Sequence, residues 1–466
     1  MTRLRLPLAI LALLALGICA LPRSAVASNS GSLRRYPYLT DLVKRNVTVN
    51  WATTTTVSSG LVRYGRVHHG CAKRRATAAR TTIQVGSATE YQWHARLSSL
   101  RTDTRYCYRV YGEGTDLLGS DRTPSFRSRL PAGSKRRLTF AVFGDWGKVG
   151  TSGNPDQARL MQQIAQSPAR FAVTTGDTGY QSGSQTNYGD LMQVGQDTSA
   201  IFGDPYWTVA GSHIPLFNAQ GNHGMNPTAL VNWPEHVAVS SSQGRYAMEQ
   251  YCCPHGSAPA NYPSSWYAFN AGTARFYVLE TSWANSNVGD ADLYANDYEA
   301  HWSSTRAEYQ WLKNDLQAHP RKVSFAFFHF PLYSDNTTET SDPWLHGQGH
   351  LEELLGDHGV DIVFNGHSHI YERNHRSAPG MPISYVTGGG GEDLQPVSNC
   401  GSFDAYSIGW SYSSSTHGSS CGSAPRPSTV DRVFHFLLVT VDGTRVTVRP
   451  TDELGRTFDV QTYHFS

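Results

Sequence analysis

Short apolar runs alternate with polar, glycine-rich turns along most of the chain, and two kinds of periodicity can be distinguished. Between residues 32 and 130, apolar and polar residues alternate singly, as in Val47, Val49 and Trp51 and again in Tyr106, Tyr108 and Val110. This period of two predicts half-buried strands. Regular strands with turn-like stretches between them predict a small all-β sandwich over residues 32–130, followed by a linker at residues 131–134.

From residue 138 onward, apolar strand-like runs alternate with helical patterns. Helices are predicted from residue 155 to about 164, from about 305 to 316, and around 351–355. Strands alternating with helices predict a layered α/β domain over residues 137–466. The predicted strands cover residues 138–143, 171–175, 214–219, 276–279, 323–328, 360–364, 383–386, 434–441 and 445–448. Residues 402–429 are rich in serine, glycine and tyrosine and are predicted to form a long loop.

The N-terminus has the pattern of an export signal. Arg3 and Arg5 precede an apolar run over residues 6–21, and Ala25 and Ala27 supply small residues for cleavage. A membrane anchor is the alternative, but the run is short for a span of about 20 residues. We therefore expect a signal peptide at residues 1–27, a secreted protein (extracellular or periplasmic), and no membrane association after signal removal.

Cysteine use agrees with export. Six cysteines remain after residue 27, and an even number in an exported chain predicts disulfides. We expect Cys71 to pair with Cys107 within the β region, and Cys400 with Cys421 around the serine-rich loop. Cys252 and Cys253 then form a vicinal pair, or they bond separately to Cys400 and Cys421.

The polar residues that interrupt this pattern form five short segments, each beside an apolar run. They are Gly144–Gly147, Gly176–Tyr180, Gly221–His223, Phe327–His329 and Gly366–His369. Strand ends are where open α/β sheets gather catalytic groups. Carboxylate, amide and imidazole ligands suit a pair of metal ions, which stabilise charge on a phosphoryl group and activate water. The segments together predict a metal-dependent phosphoesterase.

The set resembles the five motif blocks of the purple acid phosphatases, a branch of the calcineurin-like metallophosphoesterases. Tyr180, three residues after Asp177, is the most specific feature of the resemblance, and residues 97–106 resemble a fibronectin type III signature. The resemblance covers most of the chain after residue 27. It implies a metallophosphoesterase fold, a layered β-sandwich flanked by helices, preceded by a fibronectin-like β-sandwich.

The resemblance also implies roles for individual residues. Asp145, Tyr180 and His369 would bind a ferric ion, and Asp177 would bridge the two metals. Asn222, His329 and His367 would bind a divalent partner, zinc, iron or manganese. His223 would act on the substrate from outside the ligand set. The implied activity is hydrolysis of phosphate monoesters by a hydroxide that the metals activate.

Two positions depart from the family pattern. Gly224 follows His223 where the family has an acidic residue, and an apolar residue other than valine begins the fourth block. The family also has a substrate-binding histidine after the fourth block. His346 and His350 both fit that position, and His346 is preferred. A glycine run at residues 388–391 is expected to let the backbone approach the metal centre closely.

The alternative functions either share the metal-dependent phosphoesterase chemistry or need no catalysis. A phosphodiesterase or nucleotide-cleaving enzyme would differ only in the shape of the pocket. A binding protein with an inactive catalytic domain would be expected to have lost ligands, and none is missing. The net charge of +2 speaks against a nucleic-acid partner. We therefore expect small phosphate esters as substrates, and the sequence does not predict an oligomeric state.

Overall fold

The computed structural model describes thirteen segments of the chain. They cover residues 32–85, 88–146, 155–177, 210–219, 221, 266–281, 302, 304–305, 307–336, 345–401, 403–409, 420–422 and 433–466. The predicted signal peptide, Tyr180, Asn222, His223 and the pair Cys252 and Cys253 lie outside these segments. Within the described part of the chain, no helix has the length and apolar character needed to cross a bilayer.

The N-terminal region consists of strands, as its alternating pattern predicts. The Trp51 and Trp93 rings stack in its core with centroids 6.1 Å apart, and both side chains are buried. The strands are β1 (Leu33–Thr40), β2 (Val47–Thr54), β3 (Gly60–Arg66), β4 (Arg74–Thr77), β5 (Ala79–Val85), β6 (Ala88–Leu97), β7 (Arg105–Gly112), β8 (Thr115–Asp116) and β9 (Ser125–Arg127). A 3-10 turn, Val67–His69, follows β3.

Strands and helices alternate in the remainder of the chain. Its strands are β10 (Leu138–Phe143), β11 (Ala172–Thr174), β12 (Leu216–Asn218), β13 (Tyr267–Ala271), β14 (Ala274–Val278), β15 (Val323–Phe327), β16 (Ile362–Asn365), β17 (Tyr371–Asn374), β18 (Ile383–Thr387), β19 (Asp404–Ile408), β20 (Ser420–Gly422), β21 (His435–Asp442), β22 (Arg445–Asp452) and β23 (Gln461–His464). The α-helices of the described segments are α1 (Pro155–Gln166), α2 (Ala307–Ala318) and α3 (Leu351–Asp357).

Two sheets face each other across a phenylalanine core. The first has the strand order β23-β22-β21-β10-β11-β12-β1-β2-β6-β5, and the second has the order β13-β14-β15-β16-β18-β17-β19-β20. Phe140 of the first sheet meets Phe276 and Phe325 of the second at centroid distances of 5.1 and 5.4 Å. The layered β-sandwich with helices that the sequence predicts is confirmed, as is the all-β region before it.

The first sheet continues from the region after residue 137 into the N-terminal region. β1 pairs with β12 in parallel at Thr40 and Leu216, and β1 then pairs with β2. A third sheet, formed by β4, β3, β7, β8 and β9, completes the N-terminal region. Since the predicted linker separates the two regions along the chain, this shared sheet is a feature that the sequence pattern does not show.

The prediction of a long loop over residues 402–429 is partly wrong. Strand β19 pairs with β17, and β20 pairs with β19. Cys400 and Cys421 are bonded, with Cα atoms 5.6 Å apart, so the two described strands of this serine-rich stretch lie at a sheet edge beside a disulfide. Cys71 is bonded to Cys107, with Cα atoms 5.2 Å apart, as predicted.

Candidate metal centre

Parallel strands of the two facing sheets bring the polar segments together. β10, β11 and β12 run parallel in the first sheet and lead to Asp145, Asp177 and Gly221. In the second sheet β15 and β16 run parallel and lead to His329 and His367. The carboxyl ends of parallel strands share an edge, so five segments that are distant in sequence converge there.

Side chains of three predicted metal ligands form one compact buried group. The ligand atoms of Asp145, Asp177 and His329 lie within 4.8 Å of one another. All three residues are at most 1% exposed. Buried carboxylates require a compensating positive charge, because desolvation of an isolated charge is very unfavourable. A cation held between these groups meets that requirement, and carboxylate with imidazole is a ligand set that zinc, iron and manganese accept.

Two carboxylate–imidazole pairs divide the site into halves. The Nε2 atom of His329 lies 3.2 Å from Asp177 Oδ1, and the Nε2 atom of His369 lies 3.6 Å from Asp145 Oδ1. The ring of His367 packs against that of His329 with centroids 5.1 Å apart. The structure therefore brings together Asp145, Asp177, His329, His367 and His369.

Backbone carbonyl groups orient two of these imidazole rings. The Nδ1 atom of His329 is 2.9 Å from the Thr175 carbonyl oxygen, and the Nδ1 atom of His369 is 2.7 Å from that of Asp393. A hydrogen bond from Nδ1–H to a carbonyl leaves the Nε2 lone pair free to bind a metal. Both Nε2 atoms then face carboxylate oxygens, so a cation would lie between acceptors that are already oriented toward it.

The local potential also favours positive charge. Burial alone lowers the pKa of His329, but the carboxylates of Asp177 and Asp145 and the Thr175 carbonyl raise it overall to about 9. The opposing contributions show that the pocket stabilises a cation on or beside this ring, since an uncompensated buried imidazole would have a lowered pKa instead. The residues present therefore fit a metal centre.

The backbone at the site adopts conformations that most residues avoid. Asp145, Asp177 and His367 have φ angles of 53°, 48° and 69°. Left-handed backbone is uncommon outside glycine, although Asp and His adopt it more readily than bulky residues, and it clusters at functional sites. The amide of His367 donates to both carboxylate oxygens of Asp145 at 3.0 Å, so the turn itself holds this carboxylate in place.

Glycines allow the segments to approach one another closely. A Cβ atom on Gly221 would collide with Asp177 Oδ1, so the third segment begins directly against the Asp177 side chain. In the predicted glycine run, a Cβ atom on Gly388 would lie 3.1 Å from Asp145 Oδ2 and would collide with the Ser368 carbonyl. The backbone of this run therefore does approach the site, as the sequence indicates.

The two candidate substrate histidines occupy different positions. The His346 ring lies 5.0 Å from that of Tyr333, the residue four positions after His329. Burial lowers the pKa of His346, with Glu352 opposing it. His350 is the residue before helix α3, and its amide bonds to the Gly347 carbonyl. His346 is thus connected to the loop that carries His329, while Tyr180, Asn222 and His223 lie outside the described residues.

The groups that support the ligands are not evident from the sequence. The carbonyl groups of Thr175 and Asp393 leave no signal in a sequence, because every residue carries one. The side-chain oxygen of Gln395 accepts the His369 amide at 3.0 Å, and the Ser334 and Ser368 hydroxyls bond at 2.7 Å. Ser368 lies inside the fifth segment and Ser334 five residues after His329, so the sequence could have suggested that contact, whereas Gln395 is 26 residues from His369 and has no such signal.

A second group of carboxylates was also missed. Asp335, Glu372 and Asp404 have carboxylate oxygens within 4.8 Å of one another. The backbone amide of Asp335 donates to Glu372 at 2.7 Å, and the side-chain amide of Asn374 donates to the other Glu372 oxygen at 2.6 Å. Burial and the neighbouring Asp335 raise the pKa of Glu372 well above its usual range. This group therefore holds protons to a higher pH than exposed carboxylates do.

Models of known protein families match both regions of the chain. The calcineurin-like phosphoesterase family model matches residues 138–371, half of the chain, and the model for the purple acid phosphatase N-terminal domain matches residues 36–128. Purple acid phosphatase 18 of Arabidopsis thaliana is 26% identical over 364 residues, which are 74% of this chain and 69% of that protein.

Two further similarities extend the comparison. An uncharacterized protein of Mycobacterium tuberculosis (strain ATCC 25618 / H37Rv) is 27% identical over 342 residues, 70% of this chain and 59% of that protein. The structure of purple acid phosphatase PPD1 from yellow lupin (Lupinus luteus) seeds matches the fold with a TM-score of 0.68 at 19% identity, over 93% of this chain and 74% of that chain. The chain thus belongs to the purple acid phosphatase family, the acid phosphatase-type calcineurin-like metallophosphoesterases, and that family has a dinuclear metal centre.

Proposed function

We propose that the protein is a secreted phosphatase that hydrolyses phosphate monoesters at a dinuclear centre of one ferric and one divalent ion. The observation that carries the proposal is the buried group of Asp145, Asp177 and His329, whose ligand atoms lie within 4.8 Å of one another. Secretion is supported by the export pattern of residues 1–27 and by the two disulfides. We also propose the division into regions 32–130 and 137–466.

Each predicted ligand has a place in this proposal. Asp145 and His369, which already form a pair, would bind the ferric ion together with Tyr180. Asp177 would bridge, and His329, which faces it, would bind the divalent ion with His367 and Asn222. When bound, the metal pair supplies positive charge for the phosphoryl oxygens and activates water.

The chain's own residues then orient the site and handle the substrate. The Thr175 and Asp393 carbonyl groups hold the His329 and His369 rings in the tautomer that binds metal. His223 is proposed to donate a proton to the leaving group or to bond a phosphoryl oxygen. His346 is proposed to contact substrate, since it packs on the loop that follows His329.

Metal analysis combined with a substrate panel tests the function. We expect about two metal ions per chain, including iron, and faster hydrolysis of aryl phosphate monoesters than of the matched diesters. A preference for diesters would contradict the monoester proposal and favour the phosphodiesterase alternative. Stoichiometric zinc or manganese with no iron would contradict the ferric assignment.

Colour tests the role of Tyr180. A phenol has an ordinary pKa of about 10, so only a strongly polarising metal keeps Tyr180 ionised at working pH. An iron-loaded protein should then absorb visible light through the phenolate, and Tyr180→Phe should remove the band and weaken iron retention. Tyr267→Phe is the control, because that hydroxyl bonds to the Asn218 carbonyl at 2.9 Å. An iron-loaded protein with no visible band would contradict the assignment.

A further inference from the structure

The charge of the chain is unevenly divided between its two regions. Residues 32–130 contain 17 Lys and Arg residues against 6 Asp and Glu, whereas residues 131–466 contain 19 against 31. The small net charge of the whole chain therefore conceals a strongly basic N-terminal region joined to an acidic catalytic region. Charge asymmetry of this kind indicates an anionic partner for the basic part.

Many of these cations line two adjoining cavities, which we call the basic groove. The first has a volume of about 510 Å³ and the second of about 390 Å³, and Arg66 and His69 line both. Volumes of this size suit a bound ligand. The charged residues and histidines of the groove are Arg66, His68, His69, Lys73, Arg74, Arg101, Asp103, Arg105 and Arg127.

The positive charge of the basic groove is only partly neutralised internally. Asp103, the one acidic residue of its lining, pairs with Arg127 at 2.8 Å and with Arg170 at 2.7 Å, and it also pairs with Arg136. Among the described residues, no carboxylate lies within ion-pair distance of Arg66, Lys73, Arg101 or Arg105. These cations are therefore available to a ligand.

The basic groove is also held in shape. The Cys71–Cys107 disulfide ties the end of the Val67–His69 turn to strand β7. Gly65 lies against the Gly70 carbonyl so closely that a Cβ atom there would collide with it. The Arg74 guanidinium donates to the Ser98 carbonyl at 2.9 Å. A preorganised site loses less entropy on binding than mobile surface lysines would.

We propose that the basic groove binds a linear polyphosphate chain and holds it to the N-terminal region. Guanidinium groups match the geometry of phosphate oxygens, and repeated phosphates can contact several of the cations at once. A single-stranded nucleic acid would also need aromatic faces for its bases. Tyr106, the tyrosine of the groove lining, is 2% exposed and stacks on Phe126, and the Tyr64 ring is covered by Arg74 at 4.9 Å, so neither ring offers such a face.

A matched pair of triple variants tests the proposal. Arg66→Gln, Lys73→Gln and Arg101→Gln together remove three cations of the groove. Arg321→Gln, Lys322→Gln and Arg445→Gln remove two arginines and one lysine at exposed positions of the catalytic region. Both sets are made in the full chain with Asp177→Asn, so that hydrolysis of the probe does not interfere. Binding of fluorescent polyphosphate of defined length is then measured across a salt series.

We expect the groove variant to bind polyphosphate at least about tenfold more weakly than the control variant, with a shallower dependence of log Kd on log salt. Equal binding by both variants, or no binding by the parent, would overturn the proposal. Equally tight groove-dependent binding of a single-stranded oligonucleotide or of phosphatidylserine vesicles would overturn the choice of ligand. If the triple variant does not fold, Lys73→Glu alone is tested, because Lys73 is exposed.

The same groove variant, made without Asp177→Asn, separates this inference from the proposed function. The groove residues are not part of the proposed catalytic machinery, so turnover of a small aryl phosphate should stay within about twofold of the parent. A parallel loss of turnover and polyphosphate binding would place polyphosphate at the catalytic centre and overturn the separate site. Failure of the phosphatase assay in every variant would concern the proposed function alone.

Discussion

At the scale of single residues, the site depends on groups that their surroundings hold in unfavourable states. Asp145 and Asp177 combine a buried carboxylate with left-handed backbone. Each property costs free energy in the folded state unless a cation and a network of hydrogen bonds compensate for it. Removing one charge should therefore change metal binding more than it changes folding.

Asp177→Asn tests this balance. The amide keeps the shape of the side chain but removes the charge that faces His329, so metal content should fall and aryl phosphate hydrolysis should fall by at least about 100-fold. Thermal stability without added metal should be equal or higher. Asp361→Asn is the control, because its carboxylate accepts the Ser324 amide at 2.9 Å and belongs to no metal-ligand group in the described part. Full metal content and turnover in Asp177→Asn would contradict the assignment.

The second carboxylate group, Asp335, Glu372 and Asp404, makes the free energy of unfolding depend on pH. Burial and Asp335 raise the pKa of Asp404 to about 7 from an ordinary value of 3.8. The folded state therefore keeps a proton that the unfolded chain has lost. The contribution of this group to the free energy of unfolding is largest below about pH 4 and is lost as the pH rises through 7.

Asp404→Asn should remove this dependence. We expect the difference in melting temperature between the variant and the parent to be more favourable to the variant at pH 8 than at pH 4.5. The exposed Asp357, changed to Asn, serves as the comparison and should show a nearly constant difference. Melting curves at pH 4.5, 6 and 8 measure both, and a constant difference for Asp404→Asn would show that its carboxyl group titrates normally.

At the scale of elements, the site is assembled by the turns that follow parallel strands. Turn residues 366–369 follow β16 and contact the Asp145 turn that follows β10 of the other sheet. The two turns can approach because Gly366 has no side chain. A Cβ atom there would lie 2.9 Å from the Thr175 hydroxyl and would collide with Asp145 Oδ2.

Gly366→Ala should therefore weaken metal binding through a displacement of Asp145. We expect the Gly366→Ala protein to fold, to lose metal and to lose turnover by at least about tenfold. Gly359→Ala provides the control, because its φ of 69° makes alanine unfavourable while a Cβ atom would meet nothing within 4 Å. That control should lose about 1 kcal/mol of stability and keep its metal. Equal metal content in the two variants would exclude the proposed contact.

At the scale of the whole molecule, the basic and catalytic regions are joined by more than the chain. The first sheet passes from β12 to β1, and the Tyr108 hydroxyl donates to the Ser212 carbonyl at 2.9 Å. Arg170 donates to the Ser128 carbonyl at 2.7 Å and pairs with Asp103, and both side chains are 9% exposed. The interface therefore includes a largely buried ion pair.

A double-mutant cycle on Arg170 and Asp103 measures this connection. Arg170→Met should cost about 2 kcal/mol, because it leaves a poorly solvated carboxylate with fewer partners. The double-mutant cycle with Asp103→Asn should give a coupling free energy between Arg170 and Asp103 of about 1 kcal/mol or more. Arg136→Met is the control, since Arg136 pairs with the same carboxylate but is 73% exposed, and it should cost less than about 0.5 kcal/mol. Equal costs for the two arginine variants would contradict a structural role for Arg170.

The sequence by itself determined many of the elements and the candidate ligands. The strand predicted over residues 138–143 coincides with β10, and short motifs alone mark the candidate ligands Asp145, Asp177, His329, His367 and His369. Local patterns are sufficient for this, because strand periodicity and the polar residue after a buried strand are both properties of neighbouring residues. The Cys71–Cys107 pairing is likewise predictable from the position of both cysteines within one region.

Features that depend on contacts between residues distant in sequence were decided only by the tertiary structure. The Thr175 and Asp393 carbonyl groups that orient the histidines, the sheet shared through Thr40 and Leu216, and the group of Asp335, Glu372 and Asp404 have no local signature. The same holds for β19 and β20, which lie in a serine-rich stretch and become strands because β19 pairs with β17 and β20 pairs with β19 beside a disulfide. Hydrogen bonding and electrostatics act through space, so their outcome depends on the path of the whole chain.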